Sequence, residues 1–503
     1  MDFKSLLSGS DIRGNAVAHE GNEIELTDEV VYWITKAFAY WLSAKVKSKM
    51  TIAVGHDSRI SAQRIEAQAI KALKESGCIV LQCGLCSTPS MFMMTRHEKV
   101  QAHGAIMITA SHHPYYKNGL KFFDSQGGLE KEDIIGILDL AQAKSGLKGR
   151  GGKVIKDDYL KYYCEFLIDK IRKATGETYP LKDLKIAVDA GNGAGGFFVD
   201  RVLKPLGADT SASQYLEPDG MFPNHAPNPE DPEAMRHISK RVLKSKADLG
   251  IIFDTDVDRA ACVAPDGQEI NRNRLIALVS AILLEEQPGA TIVTDSVTSD
   301  ALTEFIVSRK GNHHRFKRGY KNVINEAKEL NSVGVYAPLA IETSGHAAFL
   351  ENYFLDDGAY LVIRILIKLC QLKKQNKTLL SLIEDLKEPI ETYEARLGFK
   401  PSCKDWKKSA REIMARLEKV FAKKMGFRLA QSYEGVRVNF LDGWMLIRQS
   451  VHDPILPVNI ESDRQGGVFF AVKKLYNVLK KHEELDLGVL KSYITEQKLA
   501  KKS

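Results

Sequence analysis

Short apolar runs that stop at small or polar residues recur along this chain, and several lead into stretches of helical spacing. Met50-Thr-Ile-Ala-Val54 breaks at Gly55, Leu184-Lys-Ile-Ala-Val188 ends in Asp189-Ala-Gly191, and Ala290-Thr-Ile-Val293 ends in Thr-Asp-Ser. Runs this short, bounded by turn-formers, predict buried strands. A second set feeds polar loops. These are Gly104 to Ile108 before Ser111, Leu249 to Phe253 before an acidic cluster, and Ala337 to Ile341 before Glu342-Thr-Ser-Gly-His346. Copies so far apart are no solenoid repeat; they predict three related α/β domains, each with one functional loop at a strand end. Helical spacing also covers Thr27 to Lys45, and Gly149-Arg-Gly-Gly152 reads as a linker.

Past residue 385 the pattern changes. An amphipathic, lysine-rich helix (Lys404 to Lys424) precedes short strands at Val436–Phe440 and Trp444–Ile447, a loop from Arg448 to Pro454, and a helix from Phe469 to Lys481. This predicts a smaller C-terminal α+β domain. The expected boundaries are 1–153, 154–267, 268–385 and 386–503.

Composition narrows the class. A chain of 503 residues with 44% hydrophobic and 27% charged content can bury several cores. It has no apolar run long enough for a membrane span, and its first residues lack a signal-peptide core. Seven scattered cysteines predict a reducing compartment, so the expectation is a cytoplasmic protein. The net charge of +7 and the pairs Lys473-Lys474 and Lys480-Lys481 suit a solvated helix face and anionic small substrates. They do not amount to a nucleic-acid footprint.

Candidate chemistry gathers at the strand ends. Ser111, between Ala110 and His112, is sterically open and could act as a nucleophile or phosphate carrier. Asn118-Gly119 between extended flanks predicts a hairpin turn that returns Lys121 toward the serine. Arg13, in the glycine-bracketed Gly9-Ser-Asp-Ile-Arg-Gly14, could hold a phosphate in a two-pronged fork. In Asp254-Thr-Asp256-Val-Asp258-Arg259, alternate residues share a face, so three carboxylates project together. Their repulsion calls for a cation, and an all-oxygen set favours Mg²⁺ or Mn²⁺. An EF-hand is excluded, because Arg259 and Pro265 stand where that loop needs glycine and glutamate. Arg259 beside the metal suits a bound phosphate. Two rival motifs remain. Gly191-Asn-Gly-Ala-Gly-Gly196 fits a dinucleotide fingerprint, with Asp209 or Glu217 as its acid, and would make the protein an NAD(P)-dependent oxidoreductase. Cys83-Gly-Leu-Cys86 could be a redox pair or half a zinc site, but no second pair accompanies it.

Thr109-Ala-Ser-His-His-Pro114, the Asp254/Asp256/Asp258/Arg259 cluster and Glu342-Thr-Ser-Gly-His346 occur in an order that resembles the α-D-phosphohexomutase superfamily. The resemblance runs from Gly9 to the loop at Arg448. It implies four domains around a central cleft and a phosphosugar mutase working through a phosphoserine and a sugar 1,6-bisphosphate. Ser111 would be the phosphoserine, with Asp254, Asp256 and Asp258 holding Mg²⁺ against its phosphate. Lys121 and Arg13 match cations near the transferring group. Glu342 and Ser344 match residues that grip sugar hydroxyls, and His346 one near the reacting oxygen. Lys317 resembles part of a ligand loop, while Arg448, Ser450 and His452 fall in the loop that holds the other phosphate. The implied partner is a phosphosugar, with the protein a monomer or weak homo-oligomer. Mannose or glucose phosphate is the expected substrate, phosphoglucosamine or phosphopentose the alternative. Three places depart from the usual pattern: His113, Ser10-Asp11-Ile12, and the C-terminal loop at Val451, His452, Asp453 and Pro457.

Overall fold

The computed structural model describes residues 2–450 and 453–500, and the chain divides into two compact units. One contains Met1–Ile282 and Leu339–Ile383; the other contains Leu283–Pro338 and Glu384–Ser503. No helix among the described residues is long and apolar enough to cross a membrane.

The first unit opens with an eight-stranded mixed sheet. Its order is Leu7–Ser8, Asp11–Asn15, Lys117–Asp124, Gly104–Ile108, Thr51–His56, Ile79–Leu85 and Lys153–Lys156, with Gly127–Gly128 beside Lys117–Asp124. Strand Gly104–Ile108 runs parallel to Thr51–His56 and antiparallel to Lys117–Asp124. Helix Asp28–Ser43 starts at Thr27, whose hydroxyl accepts from the Val30 N–H, and Asp28 and Glu29 stabilise its positive end. Its Ile34, Phe38 and Leu42 share a core with Ile52, Ile106, Ile108 and Phe122 of the sheet. Burying each such side chain contributes roughly 1.5–3 kcal/mol, so the strand leading to Ser111 is held firmly.

Asn118 and Gly119 do not form the expected turn; both lie inside strand Lys117–Asp124. Tertiary bonding overrides the local preference, since the Asn118 amide donates to Ser61 Oγ at 2.9 Å. Gly119 is required there because a Cβ would lie 2.4 Å from the Ile12 carbonyl and 2.7 Å from that of Thr109. The chain reverses instead through 109–116, which carries Ser111. The Gly149–Gly152 stretch is packed as well: a Cβ on Gly152 would lie 2.1 Å from the Lys74 carbonyl oxygen.

A second sheet has the order Glu269–Ile270, Ala260–Val263, Leu249–Phe253, Ile186–Asp189. Phe253 pairs with Ala260, so residues 254–259 form a tight connection at the strand end. Strands Leu339–Ile341, Ala347–Phe349 and Leu355–Asp356 pair antiparallel, and Ile341 opposite Ala347 pinches off the loop 342–346. A bridge between Arg259 and His346 joins these two loops.

In the second unit, Thr291–Thr294 and Asn312–Arg315 pair in parallel. A five-stranded antiparallel sheet follows in the order Glu391–Gly398, Ile455–Ser462, Gly443–Ile447, Val436–Phe440, Phe427–Leu429. Helices Trp406–Ala422 and Gly467–Leu479 cover it with Ile413, Leu417, Phe421, Val472 and Leu475. The chain thus carries several α/β sheets and a separate sheet-bearing C-terminal region, the class its hydrophobic pattern predicts.

Candidate active site

Ser111 follows a wholly buried strand and adopts φ 51°, a left-handed conformation that disfavours any residue with a Cβ. Its N–H donates to Thr109 Oγ1 at 2.8 Å and its hydroxyl donates to Asp254 Oδ2 at 3.1 Å. Arg259 Nη2 reaches the same hydroxyl at 3.5 Å, and His112 Nδ1 lies 3.3 Å from it. Burial and the nearby Arg259 hold the His112 imidazole far below its usual range. Burial, with Arg13 and Arg59, brings His113 to about 4. Both rings are therefore neutral at pH 7.

The three aspartates meet, but in a tight turn rather than along the extended segment their alternation suggests. Asp254, Asp256 and Asp258 are buried, and each offers a carboxylate oxygen within 4.8 Å of the others. The turn that gathers them needs Val257 at φ 65°. Lys121 Nζ donates to Asp258 Oδ2 at 2.5 Å and to Asp256 Oδ2 at 3.3 Å. The Thr88 hydroxyl also donates to Asp256, and the Thr88 N–H donates to the Asp256 carbonyl at 2.8 Å. Asp256 Oδ1 and Asp258 Oδ1 accept no hydrogen bond among the described residues. Buried acceptors without a hydrogen bond are costly; Asp258 Oδ1 has His346 at 3.5 Å and Arg259 at 3.9 Å beside it, and two such oxygens in an all-oxygen cluster fit a hard cation. Burial, then Asp258 and Asp256, push the Asp254 carboxyl well above the carboxylate range. Burial acts the same way on Asp258, but Lys121 and His346 outweigh it and hold that group well below.

Loop 342–346 turns at Gly345 (φ 92°), where a Cβ would lie 2.7 Å from the Ala260 carbonyl oxygen. Ser344 Oγ is 2.8 Å from His346 Nδ1, and Arg259 Nε donates to His346 Nε2 at 3.2 Å. Burial and Arg259 lower the His346 pKa. Asp356, on the neighbouring strand, has a buried Oδ2 without a partner; burial, Asp258 and Glu342 push its carboxyl well up. Arg13 lies opposite Gly119 in the first sheet and donates to Asp11 Oδ2 at 3.0 Å.

Ser111, Lys121, Arg13, the aspartates, Arg259, Glu342, Ser344 and His346 all belong to the first unit, whereas Lys317, Arg448 and Ser450 belong to the second. Arg448 Nε is buried and has no hydrogen-bond partner among the described residues. Burial lowers its pKa while Glu434 raises it. Ser450 Oγ accepts the Asp453 N–H at 3.2 Å, and Lys317 is exposed beside the Phe316 ring. His452 lies outside the described residues.

Comparison with known proteins decides the family. Three descriptions match: phosphoglucomutase/phosphomannomutase alpha/beta/alpha domain I at residues 4–145, domain II at 158–267 and domain III at 271–389. The phosphomannomutase/phosphoglucomutase of Pseudomonas syringae is 30% identical over 459 residues, covering 90% of this chain and 92% of that protein. The chain belongs to the phosphoglucomutase/phosphomannomutase family. The phosphoglucomutase/phosphomannomutase of Thermococcus kodakarensis is 28% identical, covering 92% of this chain and 94% of that protein. A phosphoglucomutase/phosphomannomutase family protein from Burkholderia thailandensis superposes with TM-score 0.79 at 25% identity, over 96% of this chain and 98% of that one. A putative phosphomannomutase from Thermus thermophilus shares the fold at TM-score 0.70 and 19% identity, over 94% of this chain and 98% of that one.

In this phosphohexomutase the glycine-rich turn serves packing. Cβ atoms on Gly193 and Gly196 would lie 2.7 and 2.5 Å from the Thr255 and Leu216 carbonyl oxygens, and the Ala194 N–H donates to the Thr255 carbonyl at 2.8 Å. The turn leads into a short irregular helical segment, residues 197–206, π-helical at Val199–Leu203 and 3-10 at Lys204–Leu206, rather than the long regular helix a dinucleotide fingerprint opens. The oxidoreductase reading has no support here. Cys83 and Cys86 are free thiols, and among the described residues the aspartates alone form a metal-ligating group. Sequence reasoning passed over Thr88, His112, Asp356, Asp57 and Arg59. The serine-loop pattern pointed at the position of His112 but not at its contact; Thr88 opens a short helix, Asp356 sits in a two-residue strand, and Asp57 and Arg59 lie in an ordinary-looking turn.

Proposed function

We propose that this family member moves a phosphoryl group reversibly between the 1- and 6-positions of a hexose phosphate, mannose or glucose phosphate, through phosphoserine at Ser111 and a sugar 1,6-bisphosphate. The observation that carries this reading is the Ser111 hydroxyl 3.1 Å from Asp254, inside a buried cluster that also holds Lys121 and Arg259. Phosphoryl transfer asks the protein for in-line positioning and neutralisation of charge. Mg²⁺ held by Asp254, Asp256 and Asp258 beside the Ser111 phosphate would supply positive charge to the transferring group. The bond from Ser111 Oγ to phosphorus breaks as the sugar hydroxyl oxygen bonds to phosphorus. The serine oxygen is left beside Arg259, and the bisphosphate later returns its other phosphoryl group to the serine. To Lys121, Arg13 and His346 we assign charge neutralisation and proton handling at the reacting oxygen. Glu342 and Ser344 hold sugar hydroxyls, Arg259 and Lys317 contact the ligand, and Arg448, Ser450 and His452 anchor the phosphate that is not transferred. The division at residues 153, 267 and 385, a cytoplasmic location and a monomeric or weakly associating chain belong to the same reading.

The test is a coupled assay over mannose, glucose, glucosamine and ribose 1-phosphates with the matching bisphosphates, paired with intact-mass measurement. Turnover of a hexose phosphate is expected, along with a mass fraction heavier by one phosphate that Ser111→Ala lacks. A mass shift that persists in Ser111→Ala overturns the serine assignment. Preference for glucosamine or ribose phosphate overturns the choice of sugar.

A further inference from the structure

The geometry points to Arg59, set by Asp57, as a positioning residue for phosphoryl transfer. The inference rests on Ser111 being the phosphoserine. Arg59 and Asp57 follow strand Thr51–His56 and are almost wholly buried. Asp57 Oδ1 accepts the Arg59 N–H at 3.0 Å and Oδ2 accepts Arg59 Nε at 3.2 Å, which fixes the plane of the guanidinium. Its remaining donors reach across to the Ser111 loop. Nη1 donates to the carbonyls of Pro114 at 2.7 Å and Lys117 at 2.9 Å; Nη2 donates to those of His113 at 2.6 Å and Ser111. One cation therefore ties three carbonyls of the loop and that of Lys117, where the next strand begins.

Asp57 works on the same loop from its other side. Its Oδ2 accepts the Thr109 hydroxyl at 2.7 Å, and that hydroxyl accepts the Ser111 N–H at 2.8 Å. Both peptide groups of Ser111 are thus anchored to the Asp57–Arg59 pair, which offsets the cost of holding a serine at φ 51°. The peptides are trans, so a Ser111 carbonyl aimed at Arg59 turns the His112 N–H to the opposite face. That N–H has no acceptor among the described residues. The Asp219–Phe222 segment closes the outer side: Phe222 lies 5.3 Å from the guanidinium, and a Cβ on Gly220 would lie 2.4 Å from the Ile60 nitrogen. Arg59 cannot swing out without moving that segment. No atom of this pair is shown touching the Ser111 hydroxyl, so its action passes through the backbone.

The loop's conformation fixes where the serine oxygen sits, so loosening it should slow transfer more than it weakens binding of the sugar. Misplacing a reacting group by about 1 Å costs about 100-fold in rate. The test measures kcat and KM for glucose 1-phosphate, activated by glucose 1,6-bisphosphate, in Arg59→Lys, Thr109→Val and Thr109→Ser. One ammonium cannot span four carbonyls, and valine removes both hydrogen bonds of the Thr109 hydroxyl. We expect kcat to fall about 100-fold in Arg59→Lys and about 10-fold or more in Thr109→Val, with KM within about threefold of wild type. Thr109→Ser should recover most of the rate. If Arg59→Lys does not fold, the Thr109 pair decides. Folded variants with wild-type kcat overturn the inference, as does a Thr109→Ser protein as slow as Thr109→Val. Wild-type protein without phosphate on Ser111 would instead overturn the phosphoserine reading beneath it.

Discussion

Arginine is buried against carboxylate in both units, to opposite ends. In the second unit, Arg437 donates to the Ser296 and Thr298 carbonyls and to Asp300, at 2.9, 3.3 and 3.0 Å. Arg315 donates to Asp300, Thr303 and the Ser299 carbonyl through Nη2, and to Thr298 through Nε. Trp444 stacks on Arg437 at 3.8 Å and donates to Glu461 at 2.8 Å. That cluster is closed: its cations are taken up in holding segment 296–303 to the C-terminal sheet. The cluster around Arg259 is open. Its carboxylates outnumber Lys121 and Arg259, two of their buried oxygens accept no hydrogen bond among the described residues, and a hydroxyl stands beside them. A buried charge network marks a site when it is left incomplete, not merely because it is charged.

The largest way to break this contrast is to remove the group on which the open cluster acts. Ser111→Ala should lower kcat by at least about 10⁴-fold while the fold survives, as judged by circular dichroism. Taking away one ligand comes next: Asp256→Asn should cost about 10²–10³-fold in kcat. Added Mg²⁺ should raise the melting temperature of the wild type but not of this variant, because ligand binding stabilises the folded state. An equal rise in both proteins would remove Asp256 from the metal site. Arg448→Ala should raise KM for the sugar phosphate by about 30-fold, roughly 2 kcal/mol, and an unchanged KM would take this arginine out of the site.

The smallest effect belongs to the closed cluster and concerns stability. Burial raises the Glu461 carboxyl to about 7 from an ordinary value of 4.5. A group whose pKa is raised on folding contributes most below its unfolded value and loses that contribution as pH climbs through the folded one. Wild type should therefore lose stability between about pH 4.5 and 7, by on the order of 3 kcal/mol. Glu461→Gln keeps the acceptor for Trp444 and should flatten that slope in chemical denaturation, with kcat unchanged. Parallel slopes in the two proteins would show that Glu461 does not titrate there.

Much of the open cluster was legible in the sequence because its signals are local. Ser111 stands just past an apolar run, and Asp254, Asp256 and Asp258 alternate at the end of another. The Asn118-Gly119 signal failed where a local rule met a tertiary bond, the Asn118 amide finding Ser61. Lys121, expected to return toward the serine, is instead seen against Asp256 and Asp258, because pairing with strand Gly104–Ile108 sets its register. Arg59 was not legible for a different reason. Its acceptors are backbone carbonyls in another stretch of chain, and carbonyls carry no residue identity for a pattern to reveal.

The bond from Arg259 to His346 has a consequence for how the protein is made. It joins residues 87 positions apart, and residues 283–338 between them belong to the other compact unit. During synthesis the acidic turn leaves the ribosome with Lys121 already available but without loop 342–346. Domains tend to fold in the order they emerge, yet this one must wait for a returning segment. A nascent chain halted before residue 339 would hold the serine and the three aspartates and still lack the residue that steadies Arg259.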